Sequence, residues 1–171
     1  MLQAKYMKKY FFTMLLFAAT AFSCLAQEEG RMSIGADAGI PVGSSADNFS
    51  SVIGGSLKVE NPIGDANFIT FSIGYSSLSS KSTLLGANIK PPAAIFTPLK
   101  IGLKHRLAGS LFIEAQTGAA FEIRGRRTTR FVYAPGLVWS INRFDLGLRY
   151  EGWAGNGEAI SQVAMRLGFK L

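Results

Sequence analysis

The sequence predicts an all-β fold, an eight-stranded antiparallel up-and-down transmembrane β-barrel, and three observations carry that prediction. From about Met32 to Leu171 the chain alternates residue by residue between an apolar face and a face of glycine, serine and charged groups. The pattern recurs in about eight segments of about ten residues, a length that suits tilted membrane-spanning strands, and no helical stretch lies between them to cover the apolar faces. The connections also alternate in length, as they do when tight turns gather at one end of a barrel and loops at the other. In a soluble antiparallel sheet the apolar face packs on a core; here lipid is the expected partner.

The strands read as follows. Met32 to Pro41 sends Met32, Ile34, Ala36, Ala38 and Ile40 outward, and Ser33, Gly35, Asp37 and Gly39 inward. Val52 to Glu60 opposes Ile53, Leu57 and Val59 to Ser56, Lys58 and Glu60. Asn67 to Ser76 opposes Ile69, Phe71, Ile73 and Tyr75 to Thr70, Ser72 and Gly74. Thr97 to Arg106 opposes Leu99, Ile101 and Leu103 to Lys100, Gly102, Lys104 and Arg106. Ser110 to Glu122 opposes Leu111, Ile113, Ala115, Ala119 and Phe121 to Glu114, Gln116, Gly118 and Glu122. In Arg130 to Ser140, Tyr133, Leu137 and Trp139 face out, but Val132 and Val138 blur the contrast, and Pro135 removes a ladder donor, for which a bulge is the expected accommodation. Phe144 to Gly152 opposes Phe144, Leu146, Leu148 and Tyr150 to Asp145, Gly147, Arg149 and Glu151. The last strand sends Ser161, Val163, Met165, Leu167, Phe169 and Leu171 out, against Gln162, Ala164, Arg166, Gly168 and Lys170.

Short connections follow the second, fourth and sixth strands, at Asn61 to Ala66, Leu107 to Gly109 and Ile141 to Arg143; the longest, from about Ser77 to Phe96, follows the third. With both ends of the barrel chain in the periplasm, this parity puts the loops outside the cell and requires an even strand number. Outward aromatics fall near both expected interfaces: Trp139, Phe144 and Phe169 at the periplasmic strand ends, and Tyr75, Phe121, Tyr133 and Tyr150 at the outer ends.

Ahead of the strands, Lys5, Lys8 and Lys9 precede an apolar run from Phe11 to Phe22, with a cleavage site at Cys24, Leu25 and Ala26. The run is too short for a membrane-spanning helix, which needs roughly 20 apolar residues, so residues 1–26 read as a secretory signal peptide and 27–171 as the barrel domain; a retained anchor is the alternative. Cys24 is the single cysteine, and the bulky Phe22 upstream fits a lipidation site poorly. Its removal leaves no disulfide, thiolate metal site or cysteine nucleophile. Cleavage removes three of the 18 Lys plus Arg and none of the 11 Asp plus Glu, leaving 15 − 11 = +4, which gives no reason to expect a nucleic-acid partner.

The chain resembles the small outer-membrane β-barrel family, the OmpA-like transmembrane barrels together with the PorT-like outer membrane protein β-barrel domain, over residues 30–171. The residues that carry the resemblance are the signal sequence ending CLAQ, the glycine-rich MSIGADAGIPVG, the PLKIGLKHRL strand and the terminal VAMRLGFKL. The last resembles the C-terminal signal read by the barrel-insertion machinery, with its aromatic displaced inward to Phe169. The resemblance implies a Gram-negative outer-membrane location, with outer-membrane lipid and lipopolysaccharide as surroundings, and no particular activity. PorT-like members imply one further role, assisting a secretion assembly.

Eight strands enclose a narrow interior filled by side chains. The inward set contains Asp37, Glu60, Glu114, Glu122, Asp145 and Glu151 with Lys58, Lys100, Lys104, Arg106, Arg149 and Arg166. An unpaired buried charge costs several kcal/mol, so a network of cross-strand pairs is expected. A tight turn at Leu107 to Gly109 would place Glu114 opposite Gly102, and a last hairpin pivoting near Gly155 would face Asp145 to Arg166. Such a network fills and fixes the barrel; a narrow gated ion path is the sharper alternative.

Catalytic chemistry has few candidates. The single histidine, His105, points outward near the periplasmic interface, and Ser110 lies across a turn from it, away from the outer leaflet. No metal-ligand spacing, phosphate-cradling motif or dinucleotide fingerprint occurs, so no cofactor and no metal are expected. The third outer loop, EIRGRRTTR, gathers Arg124, Arg126, Arg127 and Arg130, whose forked guanidinium groups suit glycolipid phosphate or an acidic polysaccharide; solvated loop charge is the bland alternative. The functional expectation is a non-enzymatic structural or surface-interaction barrel at the cell envelope, with an envelope or surface protein as a further partner class. The alternatives are a narrow, porin-like pore or transporter for small solutes, and a soluble lipocalin-like binding barrel.

Overall fold

The computed structural model describes residues 30–81, 92–124, 128–155 and 159–171; the expected signal peptide and Cys24 lie outside the described residues. Eight strands form where the alternation was read: β1 (Arg31–Pro41), β2 (Phe49–Pro62), β3 (Asn67–Ser80), β4 (Ala94–Ala108), β5 (Leu111–Arg124), β6 (Thr129–Ile141), β7 (Phe144–Ala154) and β8 (Ile160–Lys170). One helical turn, α1 (Ser45–Asn48), sits in the first connection. Each strand pairs antiparallel with the next, and β8 returns to β1 through pairs such as Ala36 with Leu167, so the sheet closes without an edge. Several strands outrun the apolar alternation, as β3 does through Ser76–Ser80, because ladder pairing continues where the outward side chains turn polar.

β1 starts and β8 finishes at one end, the turn end, where the connections are residues 63–66, 109–110 and 142–143. The opposite end, the loop end, carries 42–48, 81–93, 125–128 and 155–159. The two-residue turns need left-handed backbone, supplied by Gly109 (φ 51°) and Asn142 (φ 51°), the residue types that enter that region most readily. At the loop end, α1 folds back onto the last strand: the Ser45 hydroxyl donates to the Ala159 carbonyl (3.1 Å) and accepts from the Ser161 N–H (2.8 Å).

The two faces separate as the alternation requires. Neighbouring Leu103 and Lys104 are 61 % and 1 % exposed, and the same inversion holds for Leu148 beside Arg149 and for Leu167 beside Arg166. A soluble lipocalin-like barrel needs the opposite arrangement, with apolar residues inside, and the structure overturns that alternative. The outward aromatics are all exposed, Phe144 and Phe169 packing edge to face at the turn end with centroids 5.4 Å apart. Tyr133 and Tyr150 pack at 6.1 Å nearer the loop end, and Tyr133 lies over Gly152, where a Cβ would collide with its ring.

Pro135 does not produce the expected bulge. Its strand keeps one register with β5 throughout, and with β7 on both sides of the proline. Pairing toward β7 lapses at Ala134 and Pro135 and resumes at Gly136 with Arg149, so the missing donor is absorbed by a gap in one ladder. The irregularities fall elsewhere, at Phe49/Ser51, Ile95/Phe96 and Arg106/Ala108.

Candidate functional site

The lumen holds a charged tier between apolar clusters at the two ends. Toward the loop end, Glu151 accepts from Lys100 Nζ (2.9 Å), Arg149 Nε (2.7 Å) and Trp153 Nε1 (2.7 Å). Arg149 reaches on to Asp37 with Nη2 (2.9 Å), and Asp37 also accepts from Ser56 (2.6 Å). Lys58 bridges Glu60 (2.9 Å) and Glu114 (3.2 Å), and Glu114 takes a further bond from Gln116 Nε2 (3.2 Å). Toward the turn end, Lys104 pairs with Glu60 (2.9 Å). Asp145 pairs with Lys170 (2.8 Å) and accepts from Ser140 (2.6 Å), and Lys170 also donates to the Ser140 hydroxyl.

Most of these pairs cross the lumen instead of joining adjacent strands. Lys58 and Glu114 sit on β2 and β5, Lys100 and Glu151 on β4 and β7, Asp37 and Arg149 on β1 and β7. The inward glycines explain the reach. Side chains could not project at Gly102 or Gly118, where a Cβ would strike a neighbouring carbonyl, and these gaps leave the long cations room to span the interior. Burial makes each pair structurally demanding, since removing one partner strands the other away from water.

Two expected facings are corrected. Glu114 stands opposite Lys104, not Gly102, because the two-residue turn comes later, at 109–110, and a one-residue register shift lies between Arg106 and Ala108. Arg166 stands opposite Gly147, and Asp145 opposite Gly168, a β7–β8 register two residues from the one a pivot near Gly155 would set. Arg106 leaves the interior set altogether. At the rim of β4 it is exposed, its guanidinium 5.4 Å from the Phe112 ring. Glu122 stands at the loop end and accepts from the Thr128 N–H (3.2 Å) and hydroxyl (2.7 Å), pinning the base of the β5–β6 loop. Lys170 belongs to the network although its charge was not assigned to it.

The apolar clusters were not foreseen. At the loop end Val52, Leu78, Phe96, Ala120, Val132, Trp153 and Ile160 form a continuous buried cluster, one residue from each of β2 to β8. Trp153 is fully buried and meets Phe96 edge to face at 4.9 Å. At the turn end Phe68, Phe112 and Val138 cluster on the β3–β6 side, while the Lys170 bridge closes the opposite side. Lys104 approaches the Phe112 ring from within (4.6 Å), and exposed Arg31 and Arg106 approach Phe68 and Phe112 from the rim (5.8 and 5.4 Å). The signal was available: Val132 and Val138, which blurred the alternation of β6, are inward apolar residues that belong one to each cluster.

Of the proposed anion-binding arginines, Arg124 is exposed at the end of β5 and Arg130 is half-buried in β6; Arg126 and Arg127 lie outside the described residues. His105 is exposed on the outside wall with Nδ1 2.8 Å from Asn67 Oδ1. Among the described residues, no three His, Cys, Asp or Glu side chains converge where a metal ion could sit.

A closed eight-stranded barrel with apolar outer walls and a charged interior is a known architecture. The crystal structure of Ail, the attachment invasion locus protein of Yersinia pestis, superposes with a TM-score of 0.61 at 13% identity, over 83% of this chain and 97% of Ail. The N-terminal β-barrel domain of Pseudomonas aeruginosa OprF gives 0.59 at 15%, over 84% and 98%. A de novo designed transmembrane β-barrel gives 0.55 at 12%, over 85% and 98%. The fold is that of the small outer-membrane barrels. No family model matches the sequence, and no curated protein does either. At these identities the likeness reaches the fold and stops there.

Proposed function

We propose that this chain is a non-enzymatic integral outer-membrane protein, a sealed barrel that serves as a structural or surface-interaction element of the Gram-negative envelope. The observation that carries the reading is the pairing of an apolar exterior with a lumen closed at both ends. The walls then meet lipid, the interior fixes the barrel, and the loop end is left to meet partners. On this reading the turn end faces the periplasm. The interior carboxylates are engaged by cations, which supports a filling role over acid-base chemistry, and the apolar clusters speak against a narrow pore.

Membrane fractionation with a heat-modifiable shift on a detergent gel tests the location, and a soluble, heat-insensitive product would refute it. A sharper test uses Leu148, 56 % exposed near the middle of β7. Leu148→Arg is expected to lower folding stability in vesicles by about 2–4 kcal/mol, the cost of a cation near the bilayer midplane, whereas a water-facing wall would make it nearly neutral.

The same reading assigns the β5–β6 loop to anionic glycolipid or polysaccharide. Arg124 and Arg130 flank the loop, Thr128 bound to Glu122 holds its base, and Arg126 and Arg127 complete the cationic group. Sucrose octasulfate, the heparin analogue with which Ail has been crystallised, is a suitable polyanion probe. Charge reversal at Arg126 and Arg127 is expected to reduce both binding of that probe and the glycolipid phosphate retained on purification. Unchanged retention and binding would remove this assignment while leaving the barrel reading intact.

A further inference from the structure

Arg166 is the interior cation whose charge is not directly paired. It is 6 % exposed, and among the described residues no carboxylate lies within ion-pair distance of it. Its Nε donates to Ser56 (2.9 Å) and its Nη2 to the Ser33 hydroxyl (3.2 Å), which stitches β8 to β1 and β2 near the seam that closes the barrel. The guanidinium lies across Gly35, where a Cβ would come within 2.6 Å of Cζ. Nη1 has no hydrogen-bond partner.

Two other polar atoms share this condition and the same cavity. Ser72 Oγ and Asp145 Oδ2 have no hydrogen-bond partner, the latter 3.8 Å from Lys104 Nζ and so beyond bonding reach. Ser72, Asp145 and Arg166 are all more than nine-tenths buried, and all three line one cavity in the charged tier. About 30 Å³ of it is open to the centres of water molecules, enough for one or two.

We infer that this cavity is a binding site for internal water, which accepts from Arg166 Nη1, donates to Asp145 Oδ2 and bonds Ser72 Oγ. The site requires a ligand that donates and accepts at once, and this decides between water and a halide. Lys58, Lys100, Lys104, Arg149, Arg166 and Lys170 face Asp37, Glu60, Glu114, Asp145 and Glu151, so net charge alone does not choose. Asp145 Oδ2 needs a donor, and a halide has no proton to give and would set its charge against that carboxylate. Water donates one and adds no charge, and it ties β3, β7 and β8 together through the lumen, extending the stitch that Arg166 makes to β1 and β2.

The test is water-to-protein cross-relaxation at the Arg166 guanidinium protons, in ¹⁵N-arginine-labelled full-length barrel in detergent micelles, with the resonance assigned by its loss in Arg166→Lys. A long-lived water contact at Arg166 is expected, with no shift of the resonance when chloride is exchanged for bromide. Absence of that contact, or a halide-dependent shift, overturns the inference. Gly147 supplies a second arm. It lines the cavity opposite Arg166, and a Cβ there would meet nothing nearer than 3.7 Å, so Gly147→Ala places a methyl in the cavity without a backbone clash. Loss of the water contact with a lower urea midpoint is expected; a higher midpoint, the mark of a dry hole being filled, overturns the inference.

Discussion

Glu151→Gln is expected to destabilise the barrel by about 3–5 kcal/mol, measured by urea unfolding of the vesicle-reconstituted protein. Glu151 is 1 % exposed, and its two oxygens accept from Lys100, Arg149, Trp153 and, at 3.5 Å, Gln162. The amide keeps the volume but removes the charge, and the consequences for the two cations differ. Arg149 retains Asp37 at 2.9 Å, whereas the ion pair of Lys100 is to Glu151 alone among the described residues. A buried ammonium without its carboxylate is the costly product. Adding Lys100→Met should therefore recover part of the loss, with a coupling of about 0.5–3 kcal/mol between the two positions. Strict additivity would mean that the pair contributes nothing specific.

Strand number, pairing order, facing and closure were legible because the period of two survives over ten-residue segments such as Ser161 to Leu171, and any slip by one residue would turn every side chain to the wrong face. Hairpin register was less legible. The turn falls later, at 109–110, and together with the one-residue shift between Arg106 and Ala108 it moves Glu114 by two positions relative to β4 and leaves inside and outside unchanged, so alternation carries no trace of it. Arg106 keeps its inward parity, opposite buried Phe112, and sits exposed because parity says nothing of how near a residue lies to the rim. The partners of the interior charges were hidden for another reason. Neighbour geometry ranks adjacent strands first, whereas Lys58 to Glu114 and Lys100 to Glu151 depend on the lumen being narrow enough for a lysine to cross. The apolar clusters were written in the sequence as apparent faults in the pattern, at Val132, Val138 and Phe112, and a fault at an inward position near a strand end is itself the signal of a plug.

Trp153→Ala tests what that plug does. Truncating a fully buried tryptophan is expected to cost about 3–5 kcal/mol, and here it also removes the Phe96 contact and a donor to Glu151. Planar-bilayer recordings should nevertheless stay silent, for wild type, for Trp153→Ala and for Phe112→Ala alike. An ion that passed the loop-end cluster would still meet a tier in which Lys58, Lys100 and Lys104 are each bound to carboxylates, and behind it the turn-end cluster. Opening a path requires three successive barriers to yield, and a single truncation addresses one. Conductance steps in Trp153→Ala alone would show that the charged tier is passable and that the loop-end cluster was the whole barrier, restoring the narrow-pore reading. Silence accompanied by the expected loss of stability would assign Trp153 to holding the barrel shut as a solid body, the property a surface-presenting scaffold needs.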